Sequence, residues 1–204
     1  SGVVARVARA AGEVEAAVQV GNVDSAEDMQ ERDILAYMGY AGLTYSEKEV
    51  VCKPKLTGAL LYLSGDEDSY YKTTDGSTDS GWNPVFNRTD SLNQIGAAMY
   101  DTFRWSNLIY PHIEAAIEPY KKNTVKLQTG PMFAAEKDNG ATDDYRGYFT
   151  QLRYEFPIVS KVFGKRGDVT GAVVGEAMFL GDYYNTAGAD DTATWVRFEL
   201  NGKF

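Results

Sequence analysis

Hydrophobic and polar residues alternate along most of the chain, most cleanly in its last eleven residues, TWVRFELNGKF. Val196, Phe198 and Leu200 fall on one parity, whereas Arg197 and Glu199 fall on the other. Because successive side chains of a strand point to opposite sides, this segment predicts a strand with one apolar face and one polar face.

The same period recurs in earlier segments, which together predict nine strands. The predicted strands are residues 3–10, 13–21, 34–45, 53–64, 109–120, 125–133, 148–156, 169–183 and 194–204. The first is the weakest, and Ala11 and Gly12 are interpreted as the turn that separates it from the second. The sequence thus predicts an all-β, antiparallel, up-and-down sheet that forms a single domain over residues 1–204.

The predicted connections alternate in kind. Residues 23–31, 65–107, 137–144 and 185–193 are acidic and mostly long, whereas residues 11–12, 46–51, 121–123 and 159–168 are short or carry lysine. This sorting is typical of transmembrane barrels, which have long outer loops and short periplasmic turns. A soluble sandwich with Greek-key crossovers gives no reason for it.

The connection 65–107 is too long for a hairpin turn and reads as a long outer loop. Its bulky and basic side chains predict a constriction if the loop folds inward, and an external lid if it does not. These side chains are Trp82, Phe86, Arg88 and Trp105.

Composition excludes several classes of protein. A formal charge of -9 and a pI near 4.7 argue against a nucleic-acid partner, since phosphates need a basic surface. The longest apolar run, TGAVVGEAMFLG, is short for a membrane helix and contains Glu176. The single Cys52 has no partner for an internal disulfide.

An enzyme is not expected either. His112 is the only histidine, and no nucleophile, zinc or phosphate-loop motif accompanies it. At strand spacing, Glu114 and Glu118 lie about 13 Å apart, which is wide for a catalytic pair. No cofactor is expected, although the acidic outer loops, for example Asp66, Glu67 and Asp68, offer oxygen ligands that Ca²⁺ prefers.

Alternation alone does not show whether the apolar side chains face the core of a soluble protein or the lipid of a membrane. Aromatic residues near strand ends, such as Tyr45 and Tyr120, and stripes rich in glycine and alanine favour lipid. The polar parity would then line a lumen of mixed charge, with weak selectivity for cations. The predicted lumen-lining residues are Glu13, Glu15, Lys53, Lys55, Glu114, Glu118, Lys126, Glu136, Arg153, Glu155, Glu176, Arg197 and Glu199.

The stretches SGDEDS, GWNPVFNRTDS and WSNLIYPHIEAAIEPYKKNTVKLQTGPMF resemble the C-terminal half of the alginate-export family of outer-membrane barrels. The resemblance implies half of a barrel of about eighteen strands, a size that leaves an aqueous channel. The missing N-terminal half or another chain would complete it. The lumen departs from the arginine-rich filter expected of alginate exporters, because acids outnumber bases among the predicted lining residues.

The resemblance also implies a location and partners. The chain would lie in the bacterial outer membrane with its C-terminus in the periplasm. It would contact lipid and lipopolysaccharide, and the outer-membrane assembly machinery would recognise Phe204.

Two functions remain open at this point. The first is a porin or channel segment that passes small solutes or polysaccharide. The second is a non-transporting barrel or scaffold, either a closed eight-stranded form that begins at Glu13 or a sleeve for a partner protein. Eight strands enclose an interior that side chains fill, so such a barrel would conduct little.

Overall fold

The chain folds into one antiparallel sheet in which every strand pairs with the next along the sequence. The computed structural model describes residues 8–24, 31–66, 78–82, 106–137, 141, 143–163, 166–187 and 192–203. In these residues the sheet has eight strands in the order β1 to β8. The predicted all-β, up-and-down architecture is confirmed.

The strands vary in length, and a short 3-10 helix, Asp182–Ala187, lies between the last two. They are β1 (Ala8–Asp24), β2 (Glu31–Glu47), β3 (Lys55–Leu63), β4 (Leu108–Tyr120), β5 (Asn123–Phe133), β6 (Tyr145–Phe163), β7 (Arg166–Leu180) and β8 (Ala193–Lys203).

The predicted turn at Ala11 and Gly12 is wrong, which reduces the count of nine strands to eight in the described part of the chain. Gly12 lies within β1, opposite Leu43 of β2. The β2 strand is long enough to pair with β1 from Ala8 to Asp24, so the alternation continues through the glycine without a break.

The two faces of the sheet have opposite character. We call the face that carries Thr57, Gln128 and Arg153 the inner face, and these polar side chains are buried on it. The other, outer face carries the apolar parity, and its side chains are exposed: Val14 is 83% exposed and Val196 is 82% exposed. The sheet therefore buries much of its polar parity and presents its apolar parity outward.

The connections separate into two ends. At the turn end lie the connections 48–54, 121–122 and 164–165; at the loop end lie 25–30, 64–107, 134–144 and 181–192. Most loop-end connections are longer than the turn-end ones, as the sequence predicts, although 25–30 is one residue shorter than 48–54. The predicted connection 159–168 is shorter than expected, because β6 continues to Phe163 and β7 already begins at Arg166.

The sheet is not closed. Among the described residues, β1 and β8 each pair with a single neighbour, so one edge of each strand is unpaired. Because the strand number is even, the start of β1 and the end of β8 lie together at the turn end. No helix in the described ranges is long and apolar enough to cross a membrane.

The loop end contains one backbone position that requires glycine. Gly147 has a φ of 127°, which side-chain-bearing residues rarely adopt. A Cβ atom there would collide with the carbonyl oxygen of Phe179 on β7. The pairing between β5 and β6 shifts register beside it, between Met132 and Phe133. The result is a bulge at the start of β6, next to the loop end.

Candidate functional site

The loop-end half of the inner face is filled by apolar side chains. Leu61, Tyr110, Phe149 and Met178, on four different strands, belong to one buried cluster. Trp82, from the long connection between β3 and β4, is part of the same cluster and is only 4% exposed. Part of the long connection therefore packs against the inner face, as the constriction hypothesis requires.

Ser64, just beyond β3, holds the part of the long connection around Trp82 against the sheet. Its backbone carbonyl accepts hydrogen bonds from the amides of Trp82 and Asn107, both at 3.0 Å. Its hydroxyl donates to the carbonyl of Ser80 at 2.6 Å and accepts from the amide of Tyr37 at 2.9 Å. Ser64 thus holds the middle of the connection and its last residue, Asn107, beside β2 and the end of β3.

Arg146, at the start of β6, ties two connections to the sheet at the loop end. Its Nη1 donates to the carbonyls of Ser106 and Asn107 at 2.8 and 2.7 Å. Its Nε donates to the hydroxyl of Tyr184 at 3.0 Å, and its guanidinium lies 5.5 Å from the ring centroid of Tyr183. The side chain is buried, so these contacts replace water around a full positive charge.

Below the apolar cluster, polar residues form a row across the inner face. We use "row" for residues that lie directly opposite one another on successive strands. The polar row consists of Ala11, Thr44, Thr57, Glu114, Gln128, Gln151, Glu176 and Trp195. Thr44 and Thr57 share a hydrogen bond of 2.9 Å, and Gln151 donates to Glu176 at 2.7 Å.

Two residues nearer the turn end, a second row collects most of the bases of the inner face. This basic row consists of Arg9, Ser46, Lys55, Ala116, Lys126, Arg153, Val174 and Arg197. Five of its eight members are positively charged. The sequence period predicted that four of these bases share one face of the sheet. The strand registers add that all five lie at the same height along the strands.

On β6 to β8 the bases of this row are paired. Arg153 donates from Nε to Glu155 at 2.6 Å and from Nη2 to Glu199 at 2.8 Å. Arg197 donates from Nε to Glu199 at 2.7 Å, and its Nη1 lies 3.4 Å from Glu176. Among the described residues, two bases and three acids form this network, which gives a formal charge of -1 for these five side chains.

A cavity of about 500 Å³ opens beside the network. Its walls are Arg153, Glu155, Thr170, Gly171, Ala172, Glu199 and Asn201. It exists because β7 contributes only small side chains between the long side chains of β6 and β8. One guanidinium nitrogen of Arg153, Nη1, has no hydrogen-bond partner in the described ranges.

On β1 to β5 the bases of the basic row have no ion-pair partner among the described residues. Arg9, Lys55 and Lys126 make no ion pair within 4.0 Å in the described ranges. Lys55 and Lys126 flank the small Ala116, so nothing bulky separates them on the inner face. The basic row is therefore electrostatically uneven, with free positive charge on one side and a net negative network on the other.

The remaining predicted lining residues lie nearer the ends and edges. Glu13 and Glu15 share the inner parity of β1 and are exposed. Lys53 precedes β3 and pairs with Glu118 across 2.7 Å near the turn end. Glu136 follows β5 at the loop end, where its backbone is hydrogen-bonded to the side chain of Asn107.

Several predicted residues lie outside the described residues. They are Phe86, Arg88 and Trp105 of the proposed constriction, Glu67 and Asp68 of the acidic loop, and Phe204. The Asp66 carboxylate accepts a hydrogen bond from the amide of Ser80 at 3.1 Å. Within the described ranges, no group of three or more histidine, cysteine or acidic side chains forms a metal site.

Three important residues were absent from the predicted site. Gln128 and Gln151 lie on the predicted polar parity of their strands, so the alternation of the sequence was enough to predict them as inner-face residues. Arg146 had no such signal, because the bulge at Gly147 shifts the alternation at the start of β6.

Comparison of the chain with protein-family models, with curated proteins and with solved structures gives no match. The resemblance to the alginate-export family therefore remains a hypothesis.

Proposed function

We propose that the chain is a segment of an outer-membrane β-barrel channel that passes small polar solutes or polysaccharide. The observation that carries this proposal is the orientation of the two faces. Large apolar side chains on all strands are exposed, whereas Arg153, Glu176 and Gln151 are buried on the opposite face.

This orientation of the two faces would be unfavourable in water. Contiguous exposed apolar surface over a whole sheet exceeds what soluble monomers tolerate, and buried charges cost free energy unless they are paired. A bilayer accounts for both faces, because lipid covers the apolar parity and the polar parity lines the interior.

The unpaired edges of β1 and β8 support the segment hypothesis. In lipid, unpaired backbone groups are costly, so both edges need strands beside them. Further strands, from a missing N-terminal half or from another chain, would supply them and would widen the interior toward that of a channel.

One observation favours the second candidate, a non-transporting barrel or scaffold. The apolar cluster at the loop end leaves Leu61, Phe149 and Met178 fully buried, as in a small barrel whose interior is filled by side chains. If β1 and β8 close on each other, the barrel has eight strands and conducts little.

The lipid-facing assignment is tested by two arginine substitutions on β7. Val173 lies on the outer face, whereas Thr170 lies on the inner face and lines the cavity. We expect Val173→Arg to cost about 2–4 kcal/mol near the bilayer midplane and Thr170→Arg to be tolerated. Urea unfolding of the protein refolded in lipid vesicles measures both, and equal costs would contradict the assignment.

Planar-bilayer recording separates the two candidates. The complete protein, with any strands outside this sequence, should give steady open-channel conductance if it is a channel. A protein that is folded and inserted but electrically silent would support the scaffold instead.

A further inference from the structure

The uneven basic row, together with the cavity beside it, indicates which solutes the inner face would hold. We propose that this level of the inner face binds small zwitterions, such as amino acids or short peptides. Lys55 and Lys126 would contact the anionic group, and Glu155 and Glu199 would contact the cationic group. This inference rests on the proposed function and specifies the substrate class of the same surface.

The anionic half of the site is the pair of lysines. Lys55 and Lys126 lie on β3 and β5, two strands apart, which corresponds to about 10 Å between their backbones. Ala116 between them is buried and small, so both ammonium groups can approach one carboxylate. Neither lysine has an ion-pair partner among the described residues, so a ligand would not have to displace one.

The cationic half is the cavity. Glu155 and Glu199 contribute carboxylates to its wall, and Thr170 and Asn201 add neutral polar groups. Arg153 and Arg197 hold these carboxylates in place. Among the described residues that line the cavity, two acids, Glu155 and Glu199, face a single base, Arg153. A volume of about 500 Å³ is within the range of small-molecule sites.

The two halves are close enough for one small molecule. Lys126 lies directly opposite Arg153, and Glu155 is the next inner-face residue of β6. Adjacent strands are about 5 Å apart and successive residues of one face about 7 Å apart. The backbones of Lys126 and Glu155 are therefore about 8 Å apart, and an extended dipeptide is about 7 Å long, so its two charged ends can contact these two side chains. A simple anion would contact the lysines alone.

Titration calorimetry on the folded, complete protein in detergent tests the site with three related probes. They are glycylglycine, which is zwitterionic, N-acetylglycylglycine, which is anionic, and glycylglycinamide, which is cationic. We expect glycylglycine to bind most tightly. The double variant Lys55→Gln/Lys126→Gln should weaken glycylglycine binding about fivefold, the effect of two exposed ion pairs, and leave glycylglycinamide unchanged.

Two further variants complete the test. Glu155→Gln should weaken glycylglycine and glycylglycinamide and spare the acetylated probe. Lys121→Gln/Lys122→Gln removes the same two positive charges from the β4–β5 turn and should change none of the three affinities. Tighter binding of N-acetylglycylglycine than of glycylglycine would overturn the proposal in favour of an anion site, and equal affinities would overturn it in favour of no site.

Because calorimetry measures binding and bilayer recording measures conductance, the proposed binding site and the proposed channel can be contradicted independently. Selective glycylglycine binding by a protein that is silent in bilayers would support the site and contradict the channel. Conductance without any preference among the three probes would support the channel and overturn the site.

Discussion

At the scale of single residues, backbone geometry and side-chain contacts restrict which amino acids can occupy certain positions at the loop end. Gly147 combines a positive φ with a close approach to the carbonyl of Phe179, so it permits β6 to begin with a bulge. That bulge places Arg146 on the buried side, where it reaches the connections before β4 and after β7.

We predict that Gly147→Ala destabilises the fold by about 1–3 kcal/mol, because alanine would be strained at this φ. The measurement is urea unfolding of the refolded protein in lipid or detergent. Gly175→Ala on β7 is the matched control, because a Cβ atom there meets nothing within 4 Å. Similar losses from the two variants would show that the strain at Gly147 is not the cause.

Trp82 is a second residue whose role is testable. Its side chain packs into the inner-face cluster, and its indole nitrogen has no hydrogen-bond partner in the part of the chain that the structure describes, so the indole is held by apolar packing. We predict that Trp82→Ala raises open-channel conductance, because it empties volume at the proposed constriction. Trp82→Phe, which keeps an aromatic ring, should stay close to the parent protein. Unchanged conductance in Trp82→Ala would favour an external lid.

At the scale of elements, the last three strands are joined by side chains as well as by backbone pairing. Arg153 of β6 reaches across the small residues of β7 to Glu199 of β8. Ala172 and Val174 on the intervening strand make this reach possible. The network therefore holds β8, an edge strand, to the body of the sheet.

We predict that Glu199→Ala costs about 1–3 kcal/mol, because it leaves the buried Arg153 with one carboxylate fewer. Glu15→Ala, an exposed acid of the inner parity on β1, should change the free energy of unfolding by less than about 0.5 kcal/mol. Chemical denaturation measures both.

A double variant, Arg153→Met/Glu199→Leu, separates loss of the ion pair from loss of the strand contact. Apolar residues that replace both partners of a buried pair are often tolerated, so we expect it to recover most of the stability. If it is as unstable as Glu199→Ala, the network is not the reason that β8 is held.

Sequence periodicity predicted the strands and their faces, because parity depends only on residue number. It did not predict which residues share a row, because the rows follow from the strand registers. Turns and bulges determine those registers. Lys55 and Lys126 lie on one row although the long connection 64–107 separates them in sequence. The continuation of β1 through Gly12 was missed for a similar reason, since the length of β2 decides it.

At the scale of the whole molecule, the described strands form an open sheet with two different faces. The outer face is apolar from β1 to β8, the inner face changes from apolar to polar to charged toward the turn end, and in the described residues one edge of β1 and one edge of β8 are unpaired. These are the properties that the proposed barrel segment in lipid needs. If further strands complete the sheet, their number would decide whether the interior conducts.

The contacts of Arg146 affect how any other molecule would recognise the loop end. This one side chain fastens segments around residues 106, 146 and 184, which are far apart along the chain. An antibody that binds the loop end would meet a composite surface rather than a continuous peptide. Short synthetic loops would then fail to elicit such antibodies, and a substitution at the buried Arg146 would abolish recognition without altering any residue in the epitope.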